Sequence, residues 1–275
     1  DTIDERSYAE DLARRLGIRL HLVAPTREQF LERLSALAYH LEMPTGSFSV
    51  FPLYCLAEKA REQGYKVVLS GEGSDELFGG YARSEFLVED RLQLDGPRRQ
   101  SYAGMLERYH GSDLDRFCRM ASRSGLSGAA LMKSFLQSHW SDRKSLLENV
   151  CYVESRFFLQ PLLQMGDRMT MAHGVEGRCP SLDHRLIELA FSLADSLRFR
   201  DGMGKWIVHQ AAERLLPKGS MVLRRPVKHG LPTPVNLWLQ GSGSFDRKYW
   251  NALMTAECIK SLVGPGSAAR PPAAT

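Results

Sequence analysis

The stretch Val67-Val68-Leu69-Ser70-Gly71-Glu72-Gly73-Ser74-Asp75-Glu76-Leu77-Phe78-Gly79-Gly80-Tyr81 constrains this chain more than any other. Three apolar residues, two of them valine, predict a short buried strand. The strand runs into a loop with four glycines, and three acids fall between positions 72 and 76. Glycine lets a backbone turn sharply and approach a ligand closely. Carboxylates this crowded repel one another unless a cation, a donor or a proton is shared among them. The carboxyl end of a buried parallel strand is also where open α/β sheets bind ligands. On these residues alone, a metal- or anion-tolerant turn without catalysis stays open as the plainer reading. The loop is not a P-loop, because Gly-Lys-Ser/Thr is missing, and it lacks the spaced acids of an EF-hand.

Upstream, the apolar spacing predicts a helix from Asp4, as N-cap, to about Leu16, with Tyr8, Leu12 and Leu16 on one face and Gly17 as its stop. Ile18–Val23 alternates apolar and polar, which predicts a strand. Pro25-Thr26 opens a second helix with Phe30, Leu34, Leu37 and Leu41 as its stripe. A third runs from about Val50 to Gln63, with Phe51, Tyr54, Ala57 and Ala60 on one side, closed by Gly64. Helix, strand, helix, helix, strand is the tail of a partial doubly wound parallel sheet, an α/β fold. Two strands make no stable sheet, and the region from Ala82 to about Lys260 reads as helices. Ser101–Tyr109, Asp113–Arg123, Ala129–Ser138, Leu146–Leu163, Ser181–Leu193 and Met203–Leu216 are the candidates, with Ser181 as cap and Leu182, Leu186, Leu189 and Leu193 as a stripe. Residues 264–275, rich in Gly, Pro, Ala and Ser, read as a disordered tail.

Composition narrows the classes. A net charge of +4 over 275 residues, with the basic residues scattered, gives no electrostatic case for nucleic acid. The five cysteines (Cys55, Cys118, Cys151, Cys179, Cys258) show no CxxC or metal-finger spacing and read as free thiols in a reducing, cytoplasmic compartment. No apolar run reaches membrane-spanning length, and no signal peptide is evident. The chain starts at Asp1, not Met, and reads as a piece of something longer.

Three further stretches mix reactive residue types. Gly166–Asp183 holds Asp167, Arg168, His173, Glu176, Arg178 and Asp183 among methionines, and Gly174 and Pro180 argue against one long helix there. A salt-bridged helix face over a methionine core is the plain alternative. Gly204-Lys205-Trp206 precedes an amphipathic run, although a lone Lys is usually a surface residue. Arg224–Trp238 carries Pro226, Pro232 and Pro234 around Lys228 and reads as an irregular loop.

In this order the four stretches resemble one family. The chain looks like the C-terminal synthetase domain of glutamine-dependent asparagine synthetase, an ATP pyrophosphatase-type (adenine nucleotide α-hydrolase-like) domain. Leu69–Tyr81, Asp167–Asp183, Gly204-Lys205 and the basic run through Gly230-Leu231-Pro232-Thr233-Pro234 to Trp238-Leu239 carry the resemblance. It spans nearly all of residues 1–240, and one domain is expected over 1–263, with an α/β part at 1–81 and a helical part at 82–263.

The resemblance implies a carbon–nitrogen ligase of asparagine biosynthesis. ATP activates the side-chain carboxylate of aspartate as an acyl-adenylate, releasing pyrophosphate, and ammonia from glutamine attacks the acyl carbon. It further implies that Leu69, Ser70 and Gly71 contact the nucleotide and that Glu72 takes the proton from the attacking amine. Asp75 would hold Mg²⁺–pyrophosphate and Lys205 would stabilise phosphate charge, with Lys228 in a similar role. Glu176 and Arg178 shape the acyl-substrate side or pair with each other as scaffold; Asp167, His173 and Glu76 are left as structural. A homodimer surface on the late helices is one use for them that nothing in their pattern demands.

Two departures from the family pattern matter. The pyrophosphate loop Ser-Gly-Gly-x-Asp-Ser and the N-terminal glutaminase domain are absent from this sequence. The chain alone is therefore expected neither to bind ATP tightly nor to make asparagine. Gly46 and Ser49 stand where some relatives hold aspartate with Thr and Arg, and Cys179 and Ser181 flank Pro180 in place of more usual apolar residues. A different adenylating amide ligase, such as a β-lactam synthetase or peptide cyclase, is the nearest alternative. Those relatives tend to lack the loop glutamate that Glu72 supplies here. A truncated, non-catalytic assembly protein is the alternative of another class.

Overall fold

In the computed structural model the described residues are 4–45, 47–81, 128–224, 233, 235, 238, 250 and 253–258. The helices in chain order are α1 (Arg6–Leu16), α2 (Arg27–Leu41), α3 (Val50–Glu62), α4 (Ser74–Phe78) and α5 (Gly128–His139). They continue as α6 (Leu146–Val153), α7 (Leu159–Met171), α8 (His184–Ser192), α9 (Asp195–Arg198) and α10 (Trp206–Leu215). The strands are β1 (Val67–Leu69), β2 (Glu176–Arg178), β3 (Phe199–Arg200) and β4 (Met203–Gly204). The fold is mixed α/β with a small parallel sheet, in which β1 runs beside β2 with Val67 opposite Glu176 and Leu69 opposite Arg178. Two units emerge, each discontinuous in sequence: one from residues up to Ser70, Leu162–Arg178 and Ala212 onward, the other from Gly71–Pro161 and Cys179–Ala211.

The first unit is built on α2. Thr26 caps it, accepting from the Gln29 N–H, while the Gln29 side chain returns the bond to the Thr26 N–H. Its apolar stripe then buries Phe30, Leu34, Leu37 and Leu41 against Phe51 and Tyr54 of α3 and Met165 and Met169 of α7. Phe30 meets Phe51 edge-on at 5.2 Å, and Trp250 and Met254 complete this core. Burying an aromatic or leucine side chain stabilises a fold by roughly 2–3 kcal/mol, so this stripe explains why the helix forms here. Glu5, not Asp4, is the N-cap of α1; Asp4 stands one residue earlier and accepts from the Arg6 N–H, and Gly17 closes the helix at φ 64°. Buried Asp11 accepts from Arg14, Arg15 and the Met221 N–H. The Met221 N–H first, then Arg15, hold its carboxyl down at about 2.

Several expectations change. Ile18–Val23 joins no ladder among the described residues, and Ile18, Leu20 and Leu22 stay exposed. An alternating ribbon becomes a strand only when a neighbour takes its N–H and C=O groups, and β1 bonds to β2 instead. β1 itself is not buried: Val67 is 43% and Leu69 73% exposed, because β2 covers one edge and leaves its faces open among the described residues. The region past Tyr81 does supply a parallel strand, β2, which three exposed residues, Glu-Gly-Arg, did not announce. The helix expected over Leu146–Leu163 is α6, a π-helical turn at Glu154–Phe158, and α7 extending to Met171. Ser181 is no cap. Pro180 starts a 3₁₀ turn through Leu182, and Asp183 caps α8 by accepting from the Arg185 N–H. Leu189 of the expected stripe faces out at 51% exposure. The expected helices Ser101–Tyr109 and Asp113–Arg123 and the expected tail 264–275 lie outside the described residues. No helix among the described residues is long and apolar enough to cross a membrane.

His173, left as structural, lies in the first unit with its ring 4.2 Å from Tyr54. Burial first, then the charges of His40 and Arg33, depress it from 6.5 to about 4, while Glu62 opposes them; burial lowers His40 as well. Between pH 6.5 and 4 the unfolded chain thus binds protons that folded His173 refuses, so acid lowers stability through that window. The melting temperature is expected to fall as the pH drops through it, and His173→Gln to flatten part of that slope. An identical slope in wild type and variant would count against the assignment.

Candidate functional site

The acidic loop folds as a short helix between two left-handed glycines. Gly73 (φ 91°) precedes α4 and Gly79 (φ 69°) ends it. The Gly79 and Gly80 N–H groups both turn back to the Asp75 carbonyl. A Cβ on Gly73 would lie 2.2 Å from a Leu182 methyl, and one on Gly80 would lie 2.0 Å from the Asp75 carboxylate. These glycines serve close approach as much as turning.

Across from the loop stands a hairpin that the sequence reading missed. β3 and β4 pair antiparallel, Phe199 opposite Gly204, around Asp201 (φ 52°) and Gly202 (φ 75°). Two positive φ angles are the mark of a tight type I′ turn, and the dipeptide Asp-Gly was its available signal. The hairpin delivers Gly204 against α4 so closely that a Cβ there would stand 2.1 Å from the Gly79 carbonyl oxygen. Lys205 follows at φ 54°, a conformation costing a non-glycine residue roughly 1–2 kcal/mol. It is held there by donating its N–H to the Phe78 carbonyl at 3.0 Å. From that backbone the Lys205 Nζ reaches Asp75 Oδ1 at 2.8 Å, with side chains 21% and 16% exposed. The strand and the helix termini therefore fix the pair by backbone geometry before either side chain chooses a rotamer.

The other expected residues fall as follows. Glu72 is half-buried in the second unit near Cys179; burial first, then the Glu72 charge, pushes that thiol up. Glu76 is 1% exposed and accepts from the Tyr81 hydroxyl, and burial raises its carboxyl. In the first unit the Ser70 N–H donates to the Arg178 carbonyl at 2.8 Å, extending the β1–β2 ladder by one residue. Leu69 lies opposite Arg178 in that ladder, so Leu69, Ser70 and Arg178 come together. Glu176 and Arg178, two residues apart on one strand face, are exposed, and their charged groups approach to 3.7 Å. Gly71 is exposed and has open space around its Cα. Lys228 lies outside the described residues.

Would this donor set suit a metal? Among the described residues no three His, Cys, Asp or Glu side chains gather around a common point. A caged ion is thus not what Asp75 offers. One partly buried carboxylate does fit Mg²⁺, which keeps waters and takes further oxygens from phosphates. The ammonium beside it suits the same phosphates.

The asparagine synthase family model matches residues 1–253. The chain is 27% identical over 264 residues to the glutamine-hydrolysing asparagine synthetase 1 of Bacillus subtilis, covering 86% of this chain and 41% of that protein. It is 29% identical over 304 residues to the amidase chyE of Penicillium rubens, covering 94% of this chain and 44% of the relative. A putative glutamine-hydrolysing asparagine synthetase 1 of Methanocaldococcus jannaschii is 30% identical over 188 residues, 68% of this chain and 25% of that protein. The chain thus spans about two fifths of the length of the first curated relatives it matches. With a family match over nearly its whole length, and with the glycine-framed Asp75–Lys205 pair inside the matched region, this chain belongs to the asparagine synthase family.

Proposed function

We propose that this chain is the carboxylate-activating, amide-forming part of an ATP-dependent ligase, with aspartate as its acid and asparagine as its product. The Asp75–Lys205 pair carries this reading: a carboxylate and an ammonium 2.8 Å apart, fixed by backbone, suit the charged phosphates of a nucleotide. In this reading ATP is the substrate. Leu69, Ser70 and Gly71 contact the nucleotide, and because the Ser70 N–H is committed to Arg178, the contacts at Ser70 fall to its other groups. Asp75 holds Mg²⁺, which when bound neutralises phosphate charge as pyrophosphate leaves. Lys205 orients the phosphates, and Lys228 assists.

The acid's oxygen attacks the α-phosphorus, the bond to pyrophosphate breaks, and the acyl-adenylate forms. Ammonia then adds to the acyl carbon, Glu72 takes a proton from the nitrogen, and AMP departs with the carboxylate oxygen. A half-buried carboxylate just past β1 is a group of the right chemical type for that proton transfer. Glu176 and Arg178 face the acid or brace each other. The domain spans 1–263, β1 and β2 belong to a doubly wound sheet, and the ammonia comes from a glutaminase domain of the kind its longer relatives have room for.

A second reading, an acid other than aspartate, is favoured by the amidase-named relative and by Gly46 and Ser49 in place of a Thr and an Arg. Both readings are tested on the protein with whatever coding sequence precedes Asp1. Pyrophosphate release is measured with ATP, Mg²⁺, ammonia and a panel of carboxylic acids. Aspartate-dependent release with asparagine formed is the expected result. Release with another acid alone selects the second reading, and no acid-dependent release across the panel overturns both.

A further inference from the structure

Arg198 is 1% exposed, among the most deeply buried large side chains of the described residues. A guanidinium is rarely buried without partners. One nitrogen, Nη2, meets Asp195 at 2.8 Å; among the described residues Nε and Nη1 have no hydrogen-bond partner. The charge of this group reaches Cys151, which also feels Glu154 and Asp195 and is bonded by the Gly79 backbone. Cys151 and Glu154 are fully buried, and Glu154 opens the π-helical turn after α6.

These contacts close a ring within the second unit. Arg198 ends α9, and β3 begins at the next residue. Phe199 of β3 packs with Leu147 and Cys151 of α6. The hairpin turns at Asp201-Gly202 and brings Gly204 onto the Gly79 carbonyl and the Lys205 N–H onto Phe78. Gly79 in turn bonds Cys151, which packs with Phe199, the residue after Arg198. The strained backbone of Lys205 persists only if its surroundings over-determine it, and Arg198 is a nearly fully buried charged group immediately before the hairpin that carries it.

We propose that Arg198 is a positioning residue for Lys205, the buried guanidinium fixing the root of the β3–β4 hairpin so that its far end presents Lys205 to Asp75. Its effect on catalysis rests on the reading that Lys205 serves phosphate chemistry; its effect on the hairpin does not.

The test has two layers. In this chain, hydrogen exchange compares the Lys205 amide with that of Ala190, which lies in α8. Arg198→Met, close in volume, is expected to speed exchange at Lys205 roughly tenfold relative to Ala190, and Arg198→Lys to restore much of the protection. Asp195→Asn, which removes the anion holding Arg198 at a site 40% exposed, is expected to give a smaller change of the same sign and keeps the test alive should Arg198→Met not fold. Leu136→Ala, a core change in α5, should alter both amides alike. Lys205 exchange unchanged in folded Arg198→Met and Asp195→Asn, or changed no more than in Leu136→Ala, overturns the proposal. In the complete protein, kcat/KM for MgATP should fall about tenfold in Arg198→Met and recover in Arg198→Lys. Local opening at Lys205 with unchanged MgATP kinetics would leave the positioning role standing and remove Lys205 from phosphate chemistry instead.

Discussion

Gly204→Ala is expected to be among the most damaging glycine-to-alanine changes at the described residues. The new Cβ would stand 2.1 Å from the Gly79 carbonyl oxygen and 3.1 Å from its carbon, and both are backbone atoms. A rotamer change cannot relieve that contact, so either the hairpin lifts or α4 tilts. Overpacking typically costs about 1–3 kcal/mol. At roughly 2–4 °C per kcal/mol for a chain of this size, the melting temperature should fall by about 2–12 °C. The loss of MgATP-dependent activity should exceed what that instability explains, because Lys205 moves with Gly204. The matched control is Gly166→Ala, inside α7, where nothing lies within 4 Å of an added Cβ. That variant should gain about 0.5–1 kcal/mol, since glycine is the poorer helix former. Calorimetry on both separates the contact from the residue type: equal shifts of one sign would sink the close-packing account of Gly204.

Glu72→Gln should split the reaction in two. The amide keeps the size and most of the polarity of the carboxylate but cannot accept a proton from an ammonium-like intermediate. Acid-dependent pyrophosphate release should survive within about tenfold, whereas amide product should fall by about 10²–10⁴-fold, the usual worth of a positioned general base. Comparing pyrophosphate with amide in the same assay reads the ratio directly. Proportional loss of both would move Glu72 from the second step to the first, or to structure. The Cys179 thiol offers an independent check: with the neighbouring charge removed, its titration should shift down from the wild-type position.

Where local chemistry decides the structure, the sequence spoke clearly. α2 was legible because Thr26 and Gln29 form a reciprocal cap ahead of a four-residue apolar rhythm. At 71–81 the glycines and acids marked out the stretch, but the short helix α4 inside what was expected as loop was not legible. β2 was not, because Glu-Gly-Arg has no strand character of its own; the strand exists through its hydrogen bonds to β1, more than a hundred positions earlier. Ser181 and Asp183 are both good caps by type, and Pro180 decided between them by tightening the chain into a 3₁₀ turn first. The burial of Arg198 was hidden for the opposite reason: long charged residues lie at the surface so regularly that pattern alone gives no warning. The lysine at 205 could be named from its resemblance, but the hairpin that aims it was visible only as an Asp-Gly pair.

The framing of the site by glycines limits which positions can accept a side chain. Gly73, Gly80 and Gly204 sit where a side chain would strike a neighbour within 2.2 Å. At Gly204 the struck atoms are backbone and cannot yield by a rotamer change, whereas at Gly73 and Gly80 they belong to the Leu182, Asp75 and Lys205 side chains. Glu72 meets no such bar, being half-exposed and only two residues beyond the hydrogen-bonded ladder. On the proposed reading, the base at position 72 lies outside the three positions that sterics hold to glycine. The glycine frame, above all Gly204 against the Gly79 backbone, is the part of this stretch with the least room for change.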